Sequence, residues 1–257
     1  MPGEFAASLC TTVLLEVQRT IEQLLQPDAC TAAGARRLLD VGCWDGAVTL
    51  RYASLLGARA AGIEVFETPA AQAAARGIDV VRLDIERESF PWPEAAFDVV
   101  IMNQVLEHLK NVWWPMSEAH RVLKPGGTLI VSVPNLASLH NRLLLALGLQ
   151  PSSIRTFGPH VRGFARSEFE RFVAHGGALR VERSVGVGFY PLRGRWGNPL
   201  ARLWPGASHT AVIRARKTSN CPAPWLAELS TAAEGAMQTL YGSSGSVEAA
   251  RARRGPG

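Results

Sequence analysis

The segment Arg36 to Leu50, RRLLDVGCWDGAVTL, constrains this chain most, because a short continuous apolar run passes through an acidic, glycine-bearing turn into residues with helical spacing. Arg36 to Val41 has the length of a buried strand, and Ala47 to Leu56 repeats its apolar side chains with the period of a helix. Gly42 and Gly46 let the intervening backbone bend and let a ligand approach it closely. A strand, a glycine turn and a helix N-terminus in that order form a nucleotide-binding arrangement, in which the open N–H groups of the helix face the ligand.

The glycine pattern separates two ligand classes that use such a turn. A dinucleotide fold calls for G-x-G-x-x-G, whose glycines admit a pyrophosphate against the helix N-terminus. Here the string is Asp40, Val41, Gly42, Cys43, Trp44, Asp45, Gly46: the third glycine is missing and two carboxylates stand where a pyrophosphate would be repelled. An acidic rim suits instead a ligand with a cationic group, such as the ammonium and sulfonium of S-adenosylmethionine. At this point the chain resembles the class I S-adenosylmethionine-dependent methyltransferases, whose first motif is an acidic residue followed by alternating glycines. Trp44 stands where that family usually has its middle glycine, so either the loop has no need of positive φ there or its shape is altered. Alone, the motif is equally a tight turn in a generic α/β protein. The resemblance makes Asp40, Gly42, Cys43, Trp44 and Gly46 cofactor-binding residues.

Later segments match the same family at the expected intervals. Ala58 to Val65 is a second apolar strand ending in Glu64. An acidic side chain there, about twenty residues beyond the glycine loop, accepts both ribose hydroxyls; an ordinary surface role, with Glu67 as the rival, is the alternative. Gly77 to Pro93 supplies a third strand whose end carries Asp84 and Ile85. The resemblance assigns the first to the adenine amino group and the second to the ring face, although Asp84 would serve equally to cap a turn. Ala96 to Val112 is a fourth strand that breaks into the polar run from Asn103 to Leu109, and strand ends at the carboxyl edge of an open sheet are where ligands bind. Asn103 therefore joins the cofactor set. Ser117 to Asn135 then reads as an amphipathic helix, a Lys-Pro-Gly-Gly turn with Pro125 stopping the helix and Gly126 and Gly127 at positive φ, and a fifth strand.

The resemblance covers Arg36 to Asn135 tightly and Gly158 to Lys217 loosely. It implies an α/β fold: a Rossmann-like, seven-stranded, mostly parallel sheet with helices on both faces and an antiparallel last strand. An amphipathic helix over Phe5 to Leu25 caps or flanks it as residues 1–30, the catalytic domain spans 31–217, and 218–257 form an extension with a helix at Leu226 to Leu240 and disorder in the last fifteen residues. Substrate-side insertions fall at 136–166 and 188–208. Within the first a helix is expected over Leu136 to Leu147. Ser167 to His175 reads as a helix opened by a Ser167/Glu170 capping box, and Ala178 to Val187 with His209 to Lys217 as the closing hairpin.

Composition narrows the class less than the motifs do. A chain of 257 residues with 47% hydrophobic content can bury one large core. Cys10, Cys30, Cys43 and Cys221 are scattered without C-x-x-C spacing, no Asp/Asp/Asn metal set of the catechol type is present, and no metal site is expected. No signal sequence opens the chain and no apolar run is long enough to span a bilayer, so a cytoplasmic protein without membrane insertion is expected.

Methyl transfer from a sulfonium is an in-line displacement that depends on alignment and exclusion of water. A hydroxyl acceptor gains from a base within hydrogen-bond reach, and His160 and His108 are the candidates, His160 favoured. Residues 1–141 carry 11 Lys+Arg against 16 Asp+Glu, whereas 142–216 carry 12 arginines against three glutamates. That split suggests an anionic small-molecule substrate held by Arg155, Arg162 and Arg195, unless the arginine bias reflects genome composition. The missing Asn/Asp-Pro-Pro-aromatic motif argues against amino-methylation of nucleic acid, and the chain's resemblance to bacterial small-molecule members of the family, including those similar to the methionine-biosynthesis W proteins, implies O-methylation of a sugar, nucleotide-sugar, lipid or secondary metabolite. The rivals are a non-catalytic protein of this fold that binds a partner or RNA through its arginine-rich half, and a nucleotide-dependent oxidoreductase.

Overall fold

A computed structural model describes residues 2–29, 36–190, 192, 194–218 and 224–225, with backbone alone for 2–11, 29 and 194–196. Seven strands form one sheet: β1 (Arg36–Val41), β2 (Ala58–Ile63), β3 (Asp79–Val81), β4 (Phe97–Asn103), β5 (Leu123–Pro134), β6 (Leu179–Val187) and β7 (Thr210–Lys217). Their order is β3-β2-β1-β4-β5-β7-β6, and β7 runs antiparallel to both neighbours while the remaining pairs are parallel. The helices are α1 (Pro2–Ala29), α2 (Ala47–Leu56), α3 (Glu67–Ala75), α4 (Trp113–Val122), α5 (Leu139–Ala146), α6 (Arg166–Val173) and α7 (Gly194–Leu203). This is the Rossmann-like α/β architecture that the resemblance implied.

The continuous apolar runs of the central strands follow from burial on both faces. Leu38, Val99, Ile101, Ile130 and Val212 point to one side, where they meet Val17, Ile21 and Leu25 of α1 and Tyr52 and Leu56 of α2. Their neighbours Leu39, Val100, Met102, Leu129 and Val131 point to the other, against Met116 and Val122 of α4 and Phe169 and Val173 of α6. The first helix thus packs as part of the second layer. A buried guanidinium adds to the attachment: Arg214, on β7, pairs with Asp28 of α1 and donates to Glu182 of β6 at 2.9 Å. Trp225, fully buried, closes the α6 side and donates its indole N–H to the Phe172 carbonyl at 2.7 Å. The core therefore extends past residue 217.

Several local expectations need correction. Ala165, not Ser167, is the N-cap of α6, no side chain caps it, and Glu170 pairs instead with Arg166 one turn back at 2.8 Å. Of the Lys-Pro-Gly-Gly pair only Gly126 has positive φ, at 73°. Gly127 is there for closeness, since a Cβ would lie 2.8 Å from the Lys124 carbonyl oxygen and 3.0 Å from that of Asp98. The unit is an irregular start of β5 rather than a free turn. The 188–208 insertion, to which no helix was assigned from sequence, contains α7. The helix placed over Leu226 to Leu240 and the last fifteen residues lie outside the described residues. Among the described helices none is long and apolar enough to cross a membrane.

Candidate active site

The carboxyl ends of β1, β2 and β4 and the turn after β3 enclose a cleft of about 620 Å³. Of the cofactor residues named from sequence, Gly42, Trp44, Glu64, Asp84 and Ile85 line it. Gly42 (φ 78°) stands where a Cβ would come within 2.7 Å of Val105, so only glycine lets the first loop approach the chain after β4. Trp44 keeps a left-handed backbone, φ 50°, so the family's glycine conformation survives with an indole in place of a hydrogen. Its ring, 60% exposed, meets Phe66 edge-on at 6.2 Å and forms the rim of the cleft. Glu64 is buried; its two carboxylate oxygens accept from the backbone N–H of Trp44 at 3.0 Å and of Phe66 at 2.9 Å, locking loop to strand. Each oxygen keeps a second lone pair for a hydroxyl. Asp84 accepts from the Glu86 N–H at 3.0 Å, the turn-capping alternative, while its side chain remains half exposed at the rim. Glu67, the rival to Glu64, lies outside the cleft and pairs with Arg82.

Four members of the set sit behind the wall. Asp40 is buried and accepts from Thr49 Oγ1 at 2.6 Å, and burial, with the Glu64 charge adding to it, pushes its carboxyl up to about 7. It ties β1 to α2. Cys43 packs under Gly62, and burial pushes its thiol up to about 12, which removes it as a nucleophile. Gly46, φ 77°, lets α2 begin where a Cβ would strike Ile78 at 2.3 Å. Asn103 accepts from Ser132 Oγ at 2.6 Å, bracing β4 against β5. The cleft also uses Gln104 and the apolar Phe66, Leu83, Val105, Leu109 and Pro159, which sequence reasoning missed; their residue types were visible, their convergence was not.

A second pocket, about 450 Å³, opens beside the first, and Gln104 and His108 stand in the walls of both. Its lining includes four of the six histidines, His108, His140, His160 and His209, with Glu107, Asn141, Ser152, Arg155 and, from α1, Val13, Leu14 and Val17. His140 and His209 stack 5.7 Å apart with 9° between ring planes. Burial lowers both imidazole pKa values, His209 down to about 4, which keeps the pair neutral. His160 Nδ1 bonds the Ser153 carbonyl at 2.8 Å and His108 Nδ1 the Pro159 carbonyl at 3.3 Å. A carbonyl only accepts, so both rings carry a proton on Nδ1 and turn Nε2 away from these bonds.

The arginines divide differently from the expectation. Arg155 lines the second pocket. Arg162 is spent elsewhere, donating to the Lys110 carbonyl at 2.6 Å and stacking over Trp113 at 4.8 Å. The side chain of Arg195, in α7, lies outside the described residues. Arg19, Arg180, Arg183, Arg202, Arg214 and Arg216 instead border a groove between α1, α7 and β6 that shares no lining residue with either pocket. Much of the basic excess is thus paired structural charge or faces that groove.

The first cleft fits an S-adenosylmethionine-sized nucleoside: a volume within the range of small-molecule sites, a buried carboxylate with lone pairs to spare, and an apolar floor of Leu83, Ile85 and Val105. Known proteins agree. Residues 39–131 match the model of a family described as a methyltransferase domain. The chain is 30% identical to the ubiquinone biosynthesis O-methyltransferase of Methylococcus capsulatus over 65% of its own length and 73% of that protein. It is 34% identical to the 27-O-demethylrifamycin SV methyltransferase of Amycolatopsis mediterranei over 40% of its length, and spans 42% of that relative. In fold it is similar to the crystal structure of the [4+2]-cyclase SpnF, with a TM-score of 0.53 and 24% identity, covering 76% of this chain and 81% of the other. Glycine loop, sheet order and relatives converge: the chain belongs to the class I S-adenosylmethionine-dependent methyltransferases.

Proposed function

We propose that this protein methylates a hydroxyl group of a small molecule with an apolar or aromatic body, seated in the histidine-lined pocket. The observation that carries the reading is the shared wall: Gln104 and His108 border both the cofactor cleft and the second pocket, so an acceptor in one faces a methyl donor in the other. The names of the two relatives, each an O-methyl transfer, support the oxygen as acceptor atom. Val13, Leu14 and Val17 give the pocket an apolar wall, and Arg155 is its one arginine among the described residues, placed to meet an anionic group on the acceptor.

Gly42, Trp44, Glu64, Asp84 and Ile85 hold the cofactor, which supplies an electrophilic methyl group when bound; Asp40, Cys43, Gly46 and Asn103 support that wall from behind. His160, fixed through Nδ1, offers Nε2 to the acceptor proton, and His108 stands second. The imidazole would take the hydroxyl proton as the acceptor oxygen is methylated, and the low-dielectric walls would exclude water.

Calorimetry with S-adenosylhomocysteine, followed by a screen of phenolic and alcoholic acceptors, tests this reading. Micromolar binding is expected, weakened at least tenfold by Glu64→Ala; His160→Ala is expected to lower kcat about 100-fold while leaving that affinity unchanged. Absence of binding would overturn the proposal and turn attention to partners of the arginine-lined groove.

A further inference from the structure

Three potential metal ligands converge where the two pockets meet, and we propose that Glu107, His108 and His160 bind a divalent transition-metal ion, such as Zn²⁺, Co²⁺ or Fe²⁺, that receives the acceptor hydroxyl. The position rests on the acceptor pocket proposed above; the site itself rests on the side chains. One donor atom from each of the three lies within 4.8 Å of the others. Bonds of about 2.1 Å require a separation of roughly 3.4 Å, so a bound ion would draw the three donors closer together, with His108 exposed and His160 half-buried.

Glu107 gives the second, independent indication. Its side chain is 1% exposed, and neither carboxylate oxygen has a hydrogen-bond partner. A buried carboxylate without a donor is costly, and a cation between it and two imidazoles would satisfy it. The neighbouring arginine does not: the Arg162 guanidinium is turned toward the Lys110 carbonyl and the Trp113 ring. The imidazoles are prepared in the manner of metal-binding histidines, each donating its other ring N–H to a backbone carbonyl and leaving Nε2 free. The frame is stapled as well, because the N–H groups of Val161 and Arg162 both donate to the Glu107 carbonyl, at 2.9 and 3.1 Å, holding the loop of His160 against the turn of Glu107.

Two nitrogens and one carboxylate suit zinc, cobalt, nickel or ferrous iron better than magnesium, and three protein ligands leave positions open for a substrate oxygen. A hydroxyl bound to such an ion would lose its proton to solvent more readily, so that with the ion in place His160 would serve as a ligand instead of the base, and the resulting alkoxide or phenoxide would take the methyl group as the C–S bond breaks.

The test needs no acceptor. Chelator-treated full-length protein is titrated with Co²⁺, followed by calorimetry and by visible d–d absorption, while S-adenosylhomocysteine affinity is measured on the same samples. One Co²⁺ per chain with an intense four- or five-coordinate spectrum is expected. Glu107→Gln and His160→Ala should weaken it at least tenfold with S-adenosylhomocysteine affinity unchanged, which certifies folding. Cobalt binding of the same strength in wild type and both variants, or a spectrum no different from aqueous Co²⁺, would overturn the site. Cobalt binding without S-adenosylhomocysteine binding would leave the metal site standing and remove the methyl-transfer reading; equal turnover after chelation would remove the metal's role and leave that reading intact.

Discussion

Trp44 holds a backbone conformation that costs an L-residue with a Cβ about 1–2 kcal/mol, and it does so at the rim of the cleft proposed for the cofactor. Its ring is mostly exposed, so little burial compensates. Strain at a ligand-facing position points to a use for the side chain. Trp44→Gly is therefore expected to leave the unfolding midpoint unchanged or raise it by a few degrees, since relieved strain offsets the added entropy of the unfolded chain. The same variant should lose the change in tryptophan fluorescence on S-adenosylhomocysteine binding, because Trp44 is the cleft's tryptophan among the described residues. A large fall in stability would show that the indole packs as a core group instead. From sequence the position was visible and its conformation was not: one reading had the loop forgoing positive φ, the other had its shape altered, and the loop does neither.

At the scale of elements, legibility followed burial. Strands β1, β4 and β5 sit between two layers and announced themselves as unbroken apolar runs, and β2 and β7 read nearly as well. Helix α7 did not, because Gly194, Gly197 and Pro199 break its pattern, and its stability comes from packing Ala201 with Phe189 and Ala207. The site divides the same way. Strand-end residues such as Gly42, Glu64 and Asp84 were readable because topology fixes where strand ends go, whereas the second pocket draws Val13, His140 and His209 from segments far apart in the chain. Asn135 shows how those segments are held. Fully buried, it donates to the carbonyls of Gly206 and Ser208 at 3.1 and 2.9 Å and accepts from the N–H groups of Ala137 and Arg166 at 3.1 and 3.2 Å. One side chain thus joins the end of β5, the approach to α5, the start of α6 and the loop before β7. Asn135→Ala is expected to cost roughly 2–4 kcal/mol in denaturant unfolding and to weaken acceptor binding more than cofactor binding. A loss confined to cofactor affinity would contradict this anchoring.

For the molecule as a whole, buried titratable groups set opposing slopes of stability against pH. Burial first, and the Lys217 ammonium second, push the His120 imidazole down to about 4, while burial holds the Asp40 carboxyl up near 7. His120 takes up its proton more readily when unfolded, so its contribution is complete above about pH 6.5 and is lost as pH falls toward 4. Asp40 behaves in the reverse sense. Its carboxyl ionises near 4 in the unfolded chain but stays protonated in the native protein, so stability declines as pH rises from about 4 to 7 and levels off above. The two terms oppose each other between pH 4 and 6.5 and flatten the wild-type curve there. Asp40→Asn removes one of them. Relative to wild type, the variant should therefore gain stability with rising pH, by up to roughly 4 kcal/mol between pH 4 and 8, on top of any constant cost of altering the Thr49 hydrogen bond. Chemical denaturation at four or five pH values reads this difference directly. A wild-type-minus-variant difference that stays flat across the range would mean that the carboxylate keeps its charge inside the fold, with the Thr49 hydroxyl and the adjoining turn sufficient to hold it.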